Sequence, residues 1–179
     1  LVKGICTTNV TWQRTQQMVE AIAKLGPTPS GSHQSVFPTP EEVLNAGSSY
    51  LTEHAGVGYR AKSILALAES VVDKKVDLTS FQKTKISDAT RVAALEDLPG
   101  IGPITARYLA MLCGSYRDLA LDSSTRLFAI RTFGETDGDP EMVSQRFSSF
   151  GRWRALAFWC LHWLHWPHVQ KRIMDDLEK

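Results

Sequence analysis

One carboxylate stands out by its position. Asp122 closes an extended apolar run, Leu119-Ala120-Leu121, twenty residues after Gly102 and directly before a polar helix start. Upstream, Leu98-Pro99-Gly100-Ile101-Gly102 reads as a tight turn between two stretches of helical periodicity. Pro99 fixes its φ, and the two glycines permit positive φ and a close approach of main chain to a ligand. A helix that follows such a turn directs free N–H groups back at the loop, which makes a cradle for phosphate. A phosphate cradle followed by an isolated acid points to chemistry on nucleic acid, with a pocket and a wedge still to be supplied. Spacing alone also allows a plainer role for Asp122, as a helix N-cap.

The elements that must position these groups are helical. Asn9 reads as the N-cap of a helix carrying Val10, Met18, Val19, Ile22 and Leu25 on one face, ended by Gly26-Pro27. A Pro/Ser/Thr-rich surface loop runs to Thr39-Pro40-Glu41-Glu42, a complete helix start whose helix stops by Gly47. After a second short turn, Gly56-Val57-Gly58-Tyr59-Arg60-Ala61-Lys62 leads into a helix with Ile64, Leu65, Ala68, Val71 and Val72 as its apolar face. Ser87–Leu95 forms the helix before the turn, and Ile104, Tyr108, Leu109 and Leu112 mark the buried side of the helix after it. Ser123 or Ser124 is expected to cap a helix through Arg131, closed by Gly134. Asp139-Pro140 begins another, to about Phe150, and Gly151 begins the last long one, which Pro167 interrupts before a charged end at Lys179. Sustained alternation of apolar and polar residues is missing throughout, so the predicted class is all-α.

Composition sets bounds on function. The chain of 179 residues fits one compact domain or two lobes sharing a core. Its net charge is only +1, so DNA contact must come from local donors and a focused basic patch, not from a global field. Cys6, Cys113 and Cys160 lie far apart and read as buried free thiols of a reducing compartment; three cysteines exclude a Cys₄ iron–sulfur site. Ala155–Trp166 is too short to span a bilayer and is broken by His162 and His165, and no signal peptide is visible. His162, His165 and His168 follow a helical spacing, but no carboxylate or cysteine completes a metal set, so no metal site is expected there.

The turn, its helix and the acid together resemble the helix-hairpin-helix (HhH-GPD) DNA glycosylase superfamily. Its signature is an LPGxGxxTA hairpin followed, at this spacing, by an extended segment ending in Asp and a further helix; LPGIGPITA and LALDSST match it in type and separation. Ile5-Cys6-Thr7-Thr8-Asn9 and Gly58-Tyr59-Arg60-Ala61 resemble segments of 8-oxoguanine DNA glycosylases, and Phe150–Ala157 resembles the last helix of relatives of 3-methyladenine DNA glycosylase II. The resemblance covers nearly the whole chain and implies a two-lobed helical fold over residues 1–179, with the motif at about 88–114 and the N- and C-terminal helices packed as one lobe. Both named families usually carry an N-terminal β-rich domain, which these 179 residues do not contain.

The resemblance also implies roles. Asp122 becomes the catalytic residue; the amides of Gly100, Gly102, Ile104 and Thr105 hold a phosphate, with Ser124 as a further phosphate contact or a plain cap. Tyr59 wedges into the duplex, while Asn9 and Arg60 meet the base left unpaired. Phe158 and His162, aligned with base-pocket positions, would join Trp12 and Tyr108 around the extruded base, or these aromatics are core. Bifunctional relatives carry lysine at position 104, which forms a Schiff base; Ile104 has no nucleophile, so the expected enzyme removes a base and leaves the strand intact. Electron-rich rings suit a cationic alkylated purine of the 3-methyladenine type. Removal of 8-oxoguanine, uracil or mismatched adenine, or a non-catalytic hairpin module, stay open at this point. The expected partner is double-stranded DNA bearing a damaged base, bound by a monomer away from any membrane. No cofactor is expected beyond a structural monovalent cation at the carbonyls of Leu98 and Ile101. The expected location is the cytoplasm, with the nucleoid, in a bacterium, or the nucleus in a eukaryote.

Overall fold

The computed structural model describes residues 1–33, 35–83, 85–134 and 139–164. Among them the structure is helical and contains no strand. The helices are α1 (Val2–Cys6), α2 (Trp12–Ala23), α3 (Pro40–Ser49), α4 (Arg60–Val72), α5 (Asp88–Glu96), α6 (Pro103–Leu112), α7 (Ser123–Phe133), α8 (Pro140–Arg146) and α9 (Arg154–Leu164). A π-helical turn, Tyr50–His54, joins α3 to the loop before α4, and 3₁₀ turns occupy Leu78–Gln82 and Ser148–Trp153.

Side-chain packing divides the molecule in two. The first core gathers Ile5, Met18, Ile22, Val43, Leu51, Ile64, Leu95 and Leu109 from α1 to α6. The second gathers Leu119, Phe128, Val143, Phe147, Ala155 and Phe158 from the segment before α7 through α9. Among the described residues, α1 packs into the first core and α9 into the second. α1 buries Ile5 and Cys6 against α4 and α6, whereas α9 drives Phe158 between Phe128 and Phe147, 5.5 Å from each ring. The two lobes touch where the Trp12 and Trp163 rings meet edge to face at 6.4 Å.

The crossing from one core to the other is clamped from both sides. Buried Arg91 of α5 donates to the carbonyls of Phe81 (2.7 Å) and Lys83 (2.8 Å) and to the Ser115 hydroxyl. A buried guanidinium is tolerated only when its donors are satisfied in this way. On the other side, Ala155 N–H donates to Tyr116 O at 2.8 Å, Arg154 Nε donates to Arg117 O at 2.5 Å, and Trp153 stacks on Tyr116. The chain thus enters the Asp122 segment in a fixed direction.

Several local expectations change. Residues 2–6 are helical although nothing in their pattern announces it, and Thr11, not Asn9, caps α2 by accepting the Arg14 amide. Asn9 instead sits at φ 52°, a left-handed conformation that asparagine adopts more readily than most residues. α3 passes beyond Gly47 into the π-helical turn, but bends there. On α6 the buried residues are Ala106, Leu109, Ala110 and Met111; Ile104 and Leu112 are exposed and Tyr108 is half-buried. Small residues explain the rotated face: a Cβ on Gly4 would lie 2.9 Å from Thr105 Cγ2, so α1 and α6 approach too closely for larger side chains between them. Asp122 itself, not either serine, caps α7. α8 ends at Arg146, and Gly151 falls inside a 3₁₀ turn, so α9 starts at Arg154. Of the three thiols only Cys6 is fully buried, and burial pushes it above the usual thiol range; Cys160 is exposed.

Candidate active site and nucleic-acid interface

Asp122 is exposed at the N-terminus of α7 with its carboxylate anchored. Its Oδ1 accepts the Ser124 amide at 2.8 Å and the Ser124 hydroxyl at 2.5 Å, and Thr125 Oγ1 accepts the Asp122 amide at 3.0 Å. Thr125 is 1% exposed, so this capping box is rooted in the second core. The Asp-x-x-Thr spacing was a readable signal for Thr125. The plain cap allowed by spacing is thus observed, and the hydrogen bonds to Oδ1 hold the carboxylate in one rotamer.

The hairpin presents main chain. Ile101 N–H closes the turn on Leu98 O at 3.1 Å, and Ala106 N–H begins α6 on Gly102 O at 2.8 Å. The amides of Gly100, Gly102, Ile104 and Thr105 have no acceptor among the described residues. Pro103 at the first helical position costs no donor. Gly100 has φ 77°, and a Cβ there would lie 2.6 Å from Ser63 Cβ. Around Gly102 the corresponding space is open, which leaves room for a ligand. Leu98 O uses one lone pair on Ile101 and keeps the other.

Tyr59, Arg60 and Asn9 are assembled on the same base. Tyr59 is 70% exposed, at the tip of the loop before α4. Arg60 is 7% exposed and turned inward: Nη1 donates to Val57 O at 3.3 Å and Nη2 to Thr8 O, while the guanidinium packs 4.5 Å from the Tyr59 ring centre. Its Nε has no partner. In this geometry Arg60 braces the Tyr59 loop against Thr8, the neighbour of exposed Asn9. Thr8 contributes through its carbonyl, for which no side-chain pattern could give a signal. Gly100 lies against both Ser63 of α4 and Ile5 of α1, so the hairpin, the Tyr59 loop and the Asn9 turn share one support.

The aromatic candidates scatter. Phe158 is 3% exposed and is core, not pocket wall. His162 stacks on it at 5.4 Å and reaches Ser124 Oγ with Nε2 at 3.1 Å, which brings it to Asp122. Trp12 is 37% exposed, with the Lys3 ammonium 4.8 Å from its ring centre. Tyr108 is half-buried, and burial pushes its phenol above the usual range. An apolar pocket of about 510 Å³ opens elsewhere, among Phe133, Phe147, Phe150, Ala157, Cys160 and Leu164. Phe133, in its lining, stands ten residues along α7 from Ser123, about 15 Å by helical rise, while Leu161, also in its lining, precedes His162 on α9. Among the described residues no group of three metal-ligating side chains forms; His165 and His168 lie outside them. No described helix is long and apolar enough to cross a membrane.

Hairpin, anchored aspartate and two-lobed helical body together define a class. The sequence profile of the HhH-GPD superfamily base excision DNA repair proteins matches residues 2–152, and the chain belongs to that superfamily. Its fold is similar to that of "MBOgg1 in complex with low affinity DNA ligand" (TM-score 0.76, 22% identity, 90% of this chain and 56% of the other). It is also similar to the 8-oxoguanine glycosylase/lyase of Clostridium acetobutylicum, free (TM-score 0.70, 16% identity, 89% and 56%) and bound to double-stranded DNA with cytosine opposite 8-oxoguanine (TM-score 0.73, 17% identity, 89% and 56%). The chain thus spans little more than half the length of these structures. Comparison with curated protein sequences finds no match.

Proposed function

We propose that the chain is a monofunctional DNA glycosylase, hydrolysing the N-glycosidic bond of an extruded base in duplex DNA and leaving an abasic site. The observation that carries this reading is Asp122, exposed and held in one rotamer by Ser124 and Thr125, behind a hairpin of unpaired amides whose position 104 is isoleucine. Extrusion costs a few kcal/mol, which Tyr59 offsets by stacking in the gap. The hairpin amides hold the phosphate beside the lesion without reading sequence. As the glycosidic bond lengthens, positive charge grows on the sugar; the ionised Asp122 stabilises it and takes the proton of the attacking water. Ile104 supplies no amine, so no Schiff base forms and the strand stays whole. Borohydride trapping should give no covalent adduct with the wild-type chain; an adduct overturns the monofunctional reading.

An alkylated purine of the 3-methyladenine type is the proposed lesion, since a cationic base departs without a general acid and the residues bonded to Asp122 are hydroxyl and amide groups. One observation favours a second reading, a neutral oxidised purine such as 8-oxoguanine. Lys3 already places a cation on the exposed Trp12, which repels a second positive charge there. Base release from duplexes carrying 3-methyladenine, 7-methylguanine, hypoxanthine, uracil or 8-oxoguanine separates the two. Binding with release from none of them supports a non-catalytic module instead.

A further inference from the structure

Ser124 Oγ lies between two partners, 2.5 Å from Asp122 Oδ1 and 3.1 Å from His162 Nε2. A serine hydroxyl carries one proton, and an ionised carboxylate only accepts, so that proton goes to Asp122. Ser124 Oγ must then accept from His162, and Nε2 must carry hydrogen. The line therefore runs one way, from imidazole through hydroxyl to carboxylate, and bridges α7 and α9 across 38 residues of sequence. The imidazole is held by the second core: it stacks on Phe158 at an interplanar angle of 16° and stands edge-on to Phe128 at 5.2 Å.

We propose that His162 is a positioning residue that acts through Ser124 to aim Asp122 at the sugar. With the Ser124 proton fixed toward Oδ1, the carboxylate is held by the hydroxyl and amide of Ser124 beside the Thr125 amide of the capping box, and the hydroxyl's direction follows the core packing of α9. Ser124 is then committed inward and is not a phosphate ligand, and His162 serves the acid instead of the extruded base. The proposal rests on Asp122 being the reacting carboxylate.

The test uses the full chain in single-turnover base release with enzyme in excess, on whichever of the 7-methylguanine, hypoxanthine and 8-oxoguanine duplexes the wild type processes. His162→Phe keeps a ring between Phe158 and Phe128 but has no N–H; a small misalignment of a reacting group costs from several-fold to about 100-fold in rate, and a loss of about 10-fold is expected, with DNA affinity and Tm unchanged. His162→Gln restores a donor and should recover most of that loss. Ser124→Ala/His162→Phe should be no slower than Ser124→Ala, since both remove one line. Nitrogen-15 NMR of the free chain should show neutral His162 as the Nε2–H tautomer. A His162→Phe rate equal to wild type, losses that multiply in the double variant, or an Nδ1–H tautomer overturns the proposal. Asp122→Asn keeps the two failures apart: full turnover without the carboxylate would sink the catalytic reading itself, whereas an inactive Asp122→Asn beside an unaffected His162→Phe removes only the role of His162.

Discussion

The two lobes present their functional groups in opposite ways. The first offers main chain: unpaired amides on a hairpin, shaped by Gly100 against Ser63 and supported by a large core beneath. Its side chains mostly brace, as Arg60 does from within. The second lobe offers side chains, with a carboxylate at a helix start reached through a hydroxyl and an imidazole. Main-chain sites tolerate surface substitution but fail when their backbone shape is lost. A line of side chains fails one hydrogen bond at a time while the fold survives. Grip and chemistry should therefore be separable by mutation.

The largest effect is expected at the acid. Asp122→Asn should lower base release by about 10²–10³-fold, the scale of losing one preorganised electrostatic group. Asparagine is an equally good N-cap, so Tm and DNA affinity should hold. Affinity falling in step with rate would erase the division between lobes.

Gly100→Ala attacks the grip. It sets a Cβ against Ser63 at a backbone φ of 77°, a strain of about 1–3 kcal/mol. Weaker binding of damaged and intact duplex alike is expected by fluorescence anisotropy, with Ser63→Gly recovering part of it. Unchanged affinity would show that the hairpin is not the clamp.

Arg60 and Tyr59 sharpen the contrast within the first lobe. Arg60→Met removes the holds on Thr8 and Val57 and should cost about 1–3 kcal/mol in a denaturant melt. Tyr59→Ala should leave stability within about 0.5 kcal/mol, because the ring is exposed. Yet it should slow base release from duplex while sparing a single-stranded lesion. A destabilised Tyr59→Ala, or a fully stable Arg60→Met, would reverse the roles assigned to wedge and brace.

The smallest stability effect belongs to Ile104→Lys. Position 104 is 44% exposed, so Tm should move by no more than about 0.5 kcal/mol allows. A borohydride-trapped adduct in this variant alone would place residue 104 within reach of the sugar; no adduct would separate it from the lysine position of the bifunctional relatives.

Residue patterns carried much of this. The hairpin, the helix before it and the Thr39 capping box are local, set by proline, glycine and hydroxyl side chains within a few residues, and they appear where the pattern puts them. The left-handed turn at Gly134 is equally local. Asp122 was legible as an acid after an extended run, because a helix start and an apolar strand-like stretch are both short-range signals. The α6 face was not: Ile104 and Leu112 are as apolar as the residues that are buried, and only the close approach of α1 at Gly4 decides which side turns inward. Aromatic roles were not legible either, since a ring suits a core and a pocket equally well, and contacts with Phe128 and Phe147 placed Phe158 in the core.

What the sequence determined by itself, then, is the set of short-range devices: turn, capping box, acid, and an isoleucine in place of any amine at position 104. Tertiary structure alone decided their use. It turned Arg60 inward onto Thr8, 52 residues away, and brought His162 to Ser124 across 38 residues. Such contacts depend on how helices pack, which the chain specifies only through the whole of its two cores.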